Sequence, residues 1–323
     1  MARFLVTDYD FPNLDLERRM FREAGMEFVQ AQCRTEQDVI DAAAGCDGLL
    51  VQYAPVNARV FAARPQIRIA SRYGAGYDTI NIDDARAYGV WVANAPDYGV
   101  GEVATHALAM ALALLRHLPQ FDRQVRAGRW HYTMTGPLPR VSDLTLGIIG
   151  FGRIGKRLAH LGRNVFARVI ACDPYLIDGD FPPYVQRVDL ETLCAQADVV
   201  SLHVPLTDET RGLINARTLS RMRRGAILVN TARGAVVDTD ALLSALNAGA
   251  LAAAALDVLP QEPPPAHHPL FAHPRVLLSP HAAFYSEAAE VELRCKAVQN
   301  LIDWARTGRP RYVVVEGRNQ IGK

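Results

Sequence analysis

Hydrophobic positions along this chain follow two alternating patterns, short apolar runs and longer amphipathic stretches. In the first third, runs rich in β-branched and aromatic residues predict strands at 4–7, 27–31, 48–53, 68–72 and 90–94. The amphipathic stretches predict helices over 14–24, 36–44 and 83–88, each ended by a glycine. Strands that alternate with helices predict a parallel sheet with covered faces.

The same alternation begins again near the middle of the chain and predicts a second sheet. Its strands are expected at residues 144–149, 168–172, 199–203, 226–230, 252–256 and 276–279. Asp189, Asn215 and Thr239 each precede a helical pattern and are expected to cap it. The expected fold class is therefore α/β, with two Rossmann-like or flavodoxin-like domains, parallel sheets and a cleft between them.

Three further segments complete the predicted organisation. An amphipathic helix is predicted over residues 287–306, and we expect it to return to the first domain. Residues 103–115 are apolar almost all round, which indicates a helix buried within a core or at a subunit contact. Residues 119–141 have weak periodicity and are interpreted as an arm or linker.

The composition is typical of a soluble globular protein. With 323 residues, half of them hydrophobic, and a net charge of +1, the chain can form two domains and shows no sign of a nucleic-acid or membrane partner. Five scattered cysteines fit buried thiols in a reducing compartment. The chain enters its first strand without a signal pattern, so cytoplasmic residence is expected. No metal site is expected, because His267, His268 and His273 lack nearby acids or cysteines at ligand spacing.

A glycine-rich turn follows the strand at 144–149. Gly150 would allow the tight turn, Gly152 would let the backbone approach a pyrophosphate, and Gly155 would let the next helix pack closely. The phosphates would lie at the N-terminus of that helix. Asp173 ends the following strand, where its carboxylate would accept hydrogen bonds from a ribose and repel a 2′-phosphate. The sequence therefore predicts NAD as the cofactor, in preference to NADP.

Charged side chains follow three late strands in turn. They are Arg233, then Asp257 with Glu262, then His281, and the carboxyl ends of parallel strands share the edge where ligands bind. Arg233 can hold a carboxylate through its two-donor fork and polarise the adjacent carbonyl. His281 can supply a proton as hydride arrives, and Glu262 can fix the tautomer of the imidazole. Each residue alone has an ordinary structural explanation, but together they suit hydride transfer to a 2-oxo acid.

Motifs along nearly the whole chain resemble those of the D-isomer-specific 2-hydroxyacid dehydrogenases. They are the glycine turn at 150–155 and the runs 203–207, 230–234, 255–258, 261–263 and 279–281. The resemblance implies Arg233, Glu262 and His281 as the catalytic residues. It implies a coenzyme site that contains Gly150, Gly152, Arg153, Ile154, Gly155, Asp173, His203, Val204, Pro205, Thr210, Thr231, Ala232 and Asp257. Asp257 would lie near the nicotinamide carboxamide.

The resemblance also implies how the domains divide the work. Residues 1–98 and 286–323 would form the substrate domain, and residues 99–285 the NAD-binding domain. The helix and arm at about 101–142 would build a homodimer.

Residues 72–78 are similar to the substrate loop of that family, whose backbone N–H groups bind the substrate carboxylate. The resemblance assigns this role to Ala75 and Gly76. Arg72 and the run 281–287 are similar to the C-terminal-binding-protein branch, with one departure. Phe284 stands where that branch usually has tryptophan. Arg72 and Phe284 are therefore expected as further substrate contacts.

The expected activity is the NAD-dependent interconversion of a small 2-oxo acid and its D-2-hydroxy acid. One alternative is an NAD(H)-sensing scaffold, because eukaryotic members of the resembled branch are transcriptional corepressors. Another is a 3-phosphoglycerate dehydrogenase-type activity. The intact set of Arg233, Glu262 and His281 favours the enzyme, and the sequence leaves the length of the substrate side chain open.

Overall fold

The computed structural model describes residues 1–318, which fold into two units. Among the described residues, one unit consists of Met1–Tyr98 with residues 286–318, and the other is Gly99–Tyr285. Each is built on a predominantly parallel sheet, which confirms the predicted α/β class. The cleft between the units stays a prediction.

The elements follow one another as the alternation predicts. The first unit begins with β1 (Arg3–Val6), α1 (Asp15–Ala24), β2 (Glu27–Gln30), α2 (Glu36–Ala42), β3 (Gly48–Val51), α3 (Ala58–Ala63), β4 (Ile69–Arg72), α4 (Ile82–Tyr88) and β5 (Trp91–Ala93). The second unit contains α5 (Val100–Leu115), α6 (Leu118–Arg126), β6 (Thr145–Ile149), α7 (Arg153–Gly162), β7 (Arg168–Cys172), β8 (Val185–Arg187), α8 (Leu190–Gln196), β9 (Val199–Leu202), α9 (Ala216–Arg221), β10 (Ala226–Asn230), α10 (Thr239–Asn247), β11 (Leu251–Leu256) and β12 (Val276–Leu278). The chain returns to the first unit with α11 (Glu287–Thr307) and β13 (Val313–Val315).

The sheet of the first unit has the order β13-β5-β4-β3-β1-β2. Strands β1 to β5 are parallel and follow the flavodoxin-like order, whereas β13 pairs antiparallel with β5. All four residues of β3 are buried, as expected for a parallel strand with two covered faces. The final helix α11 packs against α1, β3 and β4 of the first unit.

A buried ion pair joins α11 to α1. The Arg294 guanidinium donates to both carboxylate oxygens of Glu17, through Nε at 2.8 Å and Nη2 at 2.7 Å. Glu17 is fully buried, and its Oε1 also accepts a hydrogen bond of 3.1 Å from the hydroxyl of Tyr73. Arg294 lies 4.7 Å over the ring of Phe11. The pair therefore connects two helices to the segment that follows β4.

The sheet of the second unit is parallel and has the order β12-β11-β10-β9-β6-β7-β8. The chain winds outward in one direction from β6 to β8 and then in the other from β9 to β12, so β6 and β9 are neighbours at the reversal. Ligands of open α/β sheets bind at such a reversal, beyond the carboxyl ends of the strands. Helix α5 packs against α7, β10 and β11, and Ala104, Ala107 and Met110 are buried there. Contacts within the second unit therefore account for the burial predicted for this helix.

Some local expectations were wrong. Residues 118–126 form the helix α6 within the segment interpreted as an arm, since Pro119 in a first turn is compatible with helix initiation. Thr239 does not cap α10, because the Asp238 carboxylate accepts the N–H groups of Asp240 and Ala241. The short elements α3, β8 and β13 were not predicted, because such lengths carry little periodicity.

We predict that Arg294→Ala lowers the free energy of unfolding by about 3–5 kcal/mol, because it leaves the buried Glu17 carboxylate without its cation. Urea denaturation of the purified protein measures the change. The control is Arg86→Ala, which breaks an exposed pair with Asp83 and should cost at most about 1 kcal/mol. Equal effects of the two substitutions would contradict this account of the buried pair.

Candidate active site

Two glycines of the turn after β6 are required by the packing of the protein itself. Gly150 has φ +90°, and a Cβ there would lie 2.7 Å from the carbonyl carbon of His203. A Cβ at Gly155 would collide with the carbonyl oxygen of Gly150. These contacts let α7 approach β6 and β9 closely, as the sequence pattern predicts.

Gly152 differs, because no heavy atom lies within 4 Å of a Cβ placed there. Its backbone is exposed at the N-terminus of α7, ahead of Arg153 and Ile154. The first N–H groups of a helix have no acceptor within it and favour an anion. A small residue without an internal packing reason, next to free helical N–H groups, fits the approach of a pyrophosphate.

Asp173 follows β7 and is attached to the same turn. Its Oδ2 accepts the N–H of Phe151 at 2.9 Å, and its Oδ1 accepts the N–H of Tyr175 at 3.0 Å. Asp173 therefore lies beside the glycine turn, as the spacing in the sequence predicts. A carboxylate beside a phosphate-binding turn fits a ribose diol.

The loop after β9 holds a neutral histidine and a tight turn. Burial lowers the pKa of His203 to about 3, and its Nε2 lies 2.9 Å from Ser201 Oγ. The hydroxyl of Thr210 donates to the carbonyl of Pro205 at 2.6 Å, which closes the turn that begins at Val204. This turn follows directly from the strand that pairs with β6, so its residues border the glycine turn.

Thr231 presents a buried hydroxyl after β10. Its Oγ1 has no hydrogen-bond partner among the described residues. The neighbouring Ala232 donates its N–H to Asn230 Oδ1 at 3.0 Å, so the strand end has a fixed shape. A buried hydroxyl without a protein partner fits a polar contact with a bound molecule.

Glu262 and His281 are in direct contact. His281 Nδ1 lies 2.6 Å from Glu262 Oε2, and the two side chains are 30% and 33% exposed. The other carboxylate oxygen accepts the N–H of Leu259 at 2.8 Å. Burial alone would raise the pKa of Glu262, but the hydrogen bond and charge of His281, the N–H of Leu259 and the charge of Arg233 together hold it below its usual value. Glu262 is therefore an ionised acceptor for the imidazole.

Arg233 reaches this pair through close backbone packing. A Cβ at Gly234 would collide with the backbone of Leu259, so the loop after β10 lies against the loop that carries Glu262. Arg233 Nη1 donates to the carbonyl of Ala232 at 2.8 Å, and the carbonyl of Arg233 accepts Asn230 Nδ2 at 2.9 Å. The three predicted catalytic residues are thus brought together.

Asp257 has a role that the sequence reasoning missed. Its side chain is buried, and its oxygens accept the N–H groups of Ala282 at 2.9 Å and Ala283 at 3.0 Å. Its carbonyl accepts the N–H of His281 at 2.7 Å. The residue predicted beside a carboxamide therefore holds the loop that carries the imidazole. Ser279 and His106 also contact this carboxylate, and neither was predicted as a site residue.

The predicted substrate residues of the first unit lie after β4. Gly74 has φ +142°, and a Cβ there would collide with the guanidinium of Arg72, which folds over it. Ala75 is exposed and its carbonyl accepts Asn94 Nδ2 at 2.7 Å. Gly76 follows in the same loop. Asn94 was missed, although it follows β5 and the rule about strand ends points to it.

Tyr53 is another residue of the first unit that was missed. Burial raises the pKa of its phenol, the Asp10 carboxylate adds to the rise, and the Arg72 guanidinium opposes it. The side chain therefore lies within electrostatic reach of Arg72. In the second unit, Phe284 lies edge-on to His281 with ring centroids 6.4 Å apart.

Within residues 1–318, no helix is long and apolar enough to cross a membrane. Over the same range, no three histidines, cysteines or acids are grouped so that they could hold a metal ion.

Comparison with known proteins decides the family. Residues 108–283 match the family described as D-isomer specific 2-hydroxyacid dehydrogenase, NAD binding domain. The glyoxylate reductase of Korarchaeum cryptofilum is 39% identical over 282 residues, which are 85% of each chain. The chain belongs to the D-isomer-specific 2-hydroxyacid dehydrogenases. It is therefore an oxidoreductase that binds NAD.

Three further proteins are similar to this chain over most of its length. The D-3-phosphoglycerate dehydrogenase of Archaeoglobus fulgidus is 34% identical over 287 residues, 88% of this chain and 54% of that protein. The structure of the TT0316 protein from Thermus thermophilus has a TM-score of 0.86 and 34% identity, and covers 97% of this chain and all of its own. An NADPH-dependent glyoxylate/hydroxypyruvate reductase of Sinorhizobium meliloti, with NADP and malonate, has a TM-score of 0.87 and 29% identity over 99% of each chain.

We predict that Glu262→Gln lowers kcat of this dehydrogenase wherever the native carboxylate is ionised, because the amide keeps the shape of the side chain but removes the anionic partner of His281. Initial rates measured above a pH of about 4.3, the usual pKa of a glutamate, give the change. The exposed Glu191→Gln should leave kcat unchanged. An unchanged kcat in Glu262→Gln would exclude Glu262 as the partner of His281.

The lowered pKa of Glu262 also makes the stability of the fold depend on pH. Because the folded-state pKa of Glu262 lies below its unfolded value, the ionised carboxylate stabilises the fold above a pH of about 4.3. That contribution is lost as the pH falls through the folded-state pKa.

Proposed function

We propose that the protein interconverts a small 2-oxo acid and its D-2-hydroxy acid with NADH or NAD, with His281 as the acid and base. The observation that carries the proposal is the hydrogen bond of 2.6 Å between Glu262 and His281. With Nδ1 bonded to the carboxylate, Nε2 remains as the nitrogen that exchanges a proton with the substrate oxygen. The coenzyme supplies or accepts the hydride when it is bound.

His281 gives its proton to the carbonyl oxygen during reduction and takes it from the hydroxyl during oxidation. Glu262 stabilises the imidazolium in both directions and holds the ring in one orientation, because its second oxygen is fixed by Leu259 N–H. The pair thus works at neutral pH with an anionic partner already in place.

Arg233 binds the carboxylate of the substrate and polarises the neighbouring carbonyl through its planar fork. In the first unit, Arg72 and the N–H groups of Ala75 and Gly76 are the proposed carboxylate contacts, and Phe284 is proposed beside the side chain of the substrate. Support for the loop comes from Gly74, whose conformation only glycine adopts readily and which lies under Arg72.

Arg233→Lys keeps the charge but loses the two-donor fork. We expect kcat/KM for the oxo acid to fall between about 10-fold and 100-fold, the value of one charged hydrogen bond. Steady-state kinetics at saturating NADH measure the change, with the exposed Arg221→Lys as the control. Near-normal efficiency of Arg233→Lys would mean that another group binds the carboxylate.

A small oxo acid such as glyoxylate is the first substrate to test, because the glyoxylate reductase of Korarchaeum cryptofilum matches most of both chains. The second candidate is the oxo acid of 3-phosphoglycerate, since a D-3-phosphoglycerate dehydrogenase is 34% identical. That relative is nearly twice as long as the matched region, because the match covers 54% of it.

A screen of glyoxylate, hydroxypyruvate, pyruvate and 3-phosphohydroxypyruvate with NADH tests the activity, and chiral analysis of the product from pyruvate tests the D-configuration. We expect turnover of at least one short oxo acid and a D-product. Efficient turnover of the phosphorylated acid alone would support the second candidate. No turnover of any of these acids, with NADH binding intact, would contradict the proposed activity. It would support the NAD(H)-sensing scaffold of the resembled branch.

We also propose a homodimer in the cytoplasm. In the segment of α6 and the arm, Leu118, Trp130 and Tyr132 are strongly exposed, with Trp130 at 86%. Exposed apolar side chains of this size favour a protein contact. Sedimentation of the purified protein distinguishes monomer from dimer.

We predict that NADH is used more efficiently than NADPH, because the carboxylate of Asp173 repels a 2′-phosphate. Asp173→Ala should narrow the ratio of kcat/KM values for the two coenzymes, whereas Asp178→Asn, an exposed acid in the following segment, should not. The ratio is measured with one oxo acid at saturation. Equal use of both coenzymes by the unmodified protein would show that Asp173 does not select NAD. The test is needed because one similar protein, the reductase of Sinorhizobium meliloti, is NADPH-dependent.

A further inference from the structure

A line of three polar side chains lies behind the loop that carries His281. His106 Nε2 is 3.0 Å from Ser279 Oγ, and Ser279 Oγ is 2.5 Å from Asp257 Oδ1. His106 Nε2 is also 3.7 Å from the same carboxylate oxygen. Helix α5 thus reaches the ends of β11 and β12 through one imidazole.

The direction of these hydrogen bonds follows from the groups involved. A buried carboxylate only accepts, so the Ser279 hydroxyl donates its hydrogen to Asp257. Its oxygen is then an acceptor for His106, whose Nε2 must carry a hydrogen. His106 therefore donates into the line, which runs from His106 through Ser279 to Asp257.

Asp257 connects the hydrogen bonds of His106 and Ser279 to the backbone around His281. Its carboxylate accepts the N–H groups of Ala282 and Ala283, and its carbonyl accepts the N–H of His281. His281 has φ +53°, a left-handed conformation that is unfavourable for a residue with a Cβ. Such a conformation persists where the surrounding hydrogen bonds determine it.

The Asp257 carboxylate can accept the hydrogen bonds of Ser279, Ala282 and Ala283 together only in one orientation. Its Oδ1 receives Ser279 Oγ together with Ala282 N, and its Oδ2 receives Ala283 N. Without Ser279 and His106, Oδ1 keeps a single protein donor at hydrogen-bond distance, and rotation of the buried carboxylate would release the loop.

We propose that His106 and Ser279 are positioning residues for proton transfer, which act through Asp257 to hold the backbone of His281 in its left-handed conformation. The proposal rests on the proposed role of His281 as acid and base. This positioning role differs from a purely structural one, because proton transfer requires the imidazole to lie within a fraction of an ångström of its productive position. Neither His106 nor Ser279 is among the residues predicted to bind the coenzyme, so an unchanged KM for NADH would separate positioning of His281 from coenzyme binding.

The test compares His106→Gln with His106→Phe. Glutamine can place an N–H near the position of Nε2, whereas phenylalanine has similar size and no donor. We expect His106→Phe and Ser279→Ala to lower kcat roughly tenfold with KM for NADH changed less than about threefold, and His106→Gln to recover most of the rate. Thr105→Ala, on the same helix and bonded only to its backbone, is the matched control.

A second measurement does not depend on turnover. Amide hydrogen exchange of Ala282 and Ala283 should accelerate in His106→Phe and Ser279→Ala but not in His106→Gln or Thr105→Ala. Unchanged exchange and unchanged kcat in the first two variants would overturn the proposal, as would equal losses in His106→Gln and His106→Phe. If exchange of Ala282 and Ala283 accelerates in these variants but the unmodified protein turns over no oxo acid, the positioning role of His106 and Ser279 would stand. The proposed function would then be rejected.

Discussion

The contact between Glu262 and His281 is the interaction on which the rest of the site depends. The imidazole of His281 is about one-third exposed, and the Glu262 carboxylate orients it through a hydrogen bond of 2.6 Å. Glu262 can do so because its other oxygen is held by Leu259 N–H within the same loop. The carboxylate is ionised despite partial burial, since two positive groups and an N–H outweigh the cost of desolvation.

The sheet explains how residues far apart in the chain reach this contact. Strands β10, β11 and β12 are parallel neighbours, so Arg233, Glu262 and His281 leave the same edge. Backbone contacts then set the finer positions, through the close approach at Gly234 and through the hydrogen bonds of Asp257. The nucleotide turn lies at the reversal between β6 and β9 of the same sheet.

Sequence reasoning could find the residues whose place follows from a strand end or a glycine spacing. The glycines at 150 and 155 and Asp173 lie where the pattern predicts, since sterics leave few alternatives. It could not find His106, because a lone histidine in an apolar helix looks like packing until the partner strand is known. It could not find that Asp257 holds the loop of His281, because the sequence does not show which N–H groups a buried carboxylate accepts. Asn94 and Tyr53 follow strands of the first unit, so the same rule that found His281 could have found them.

A double-mutant cycle on kcat tests the central claim most directly, because Glu262 acts only through His281 in this account. Rates of the unmodified enzyme, Glu262→Gln, His281→Ala and the double variant would be measured with one oxo acid and saturating NADH. We predict that Glu262→Gln slows the unmodified enzyme but adds no further loss in the His281→Ala background. A loss by the same factor in both backgrounds would show that the two residues act independently and would contradict the account.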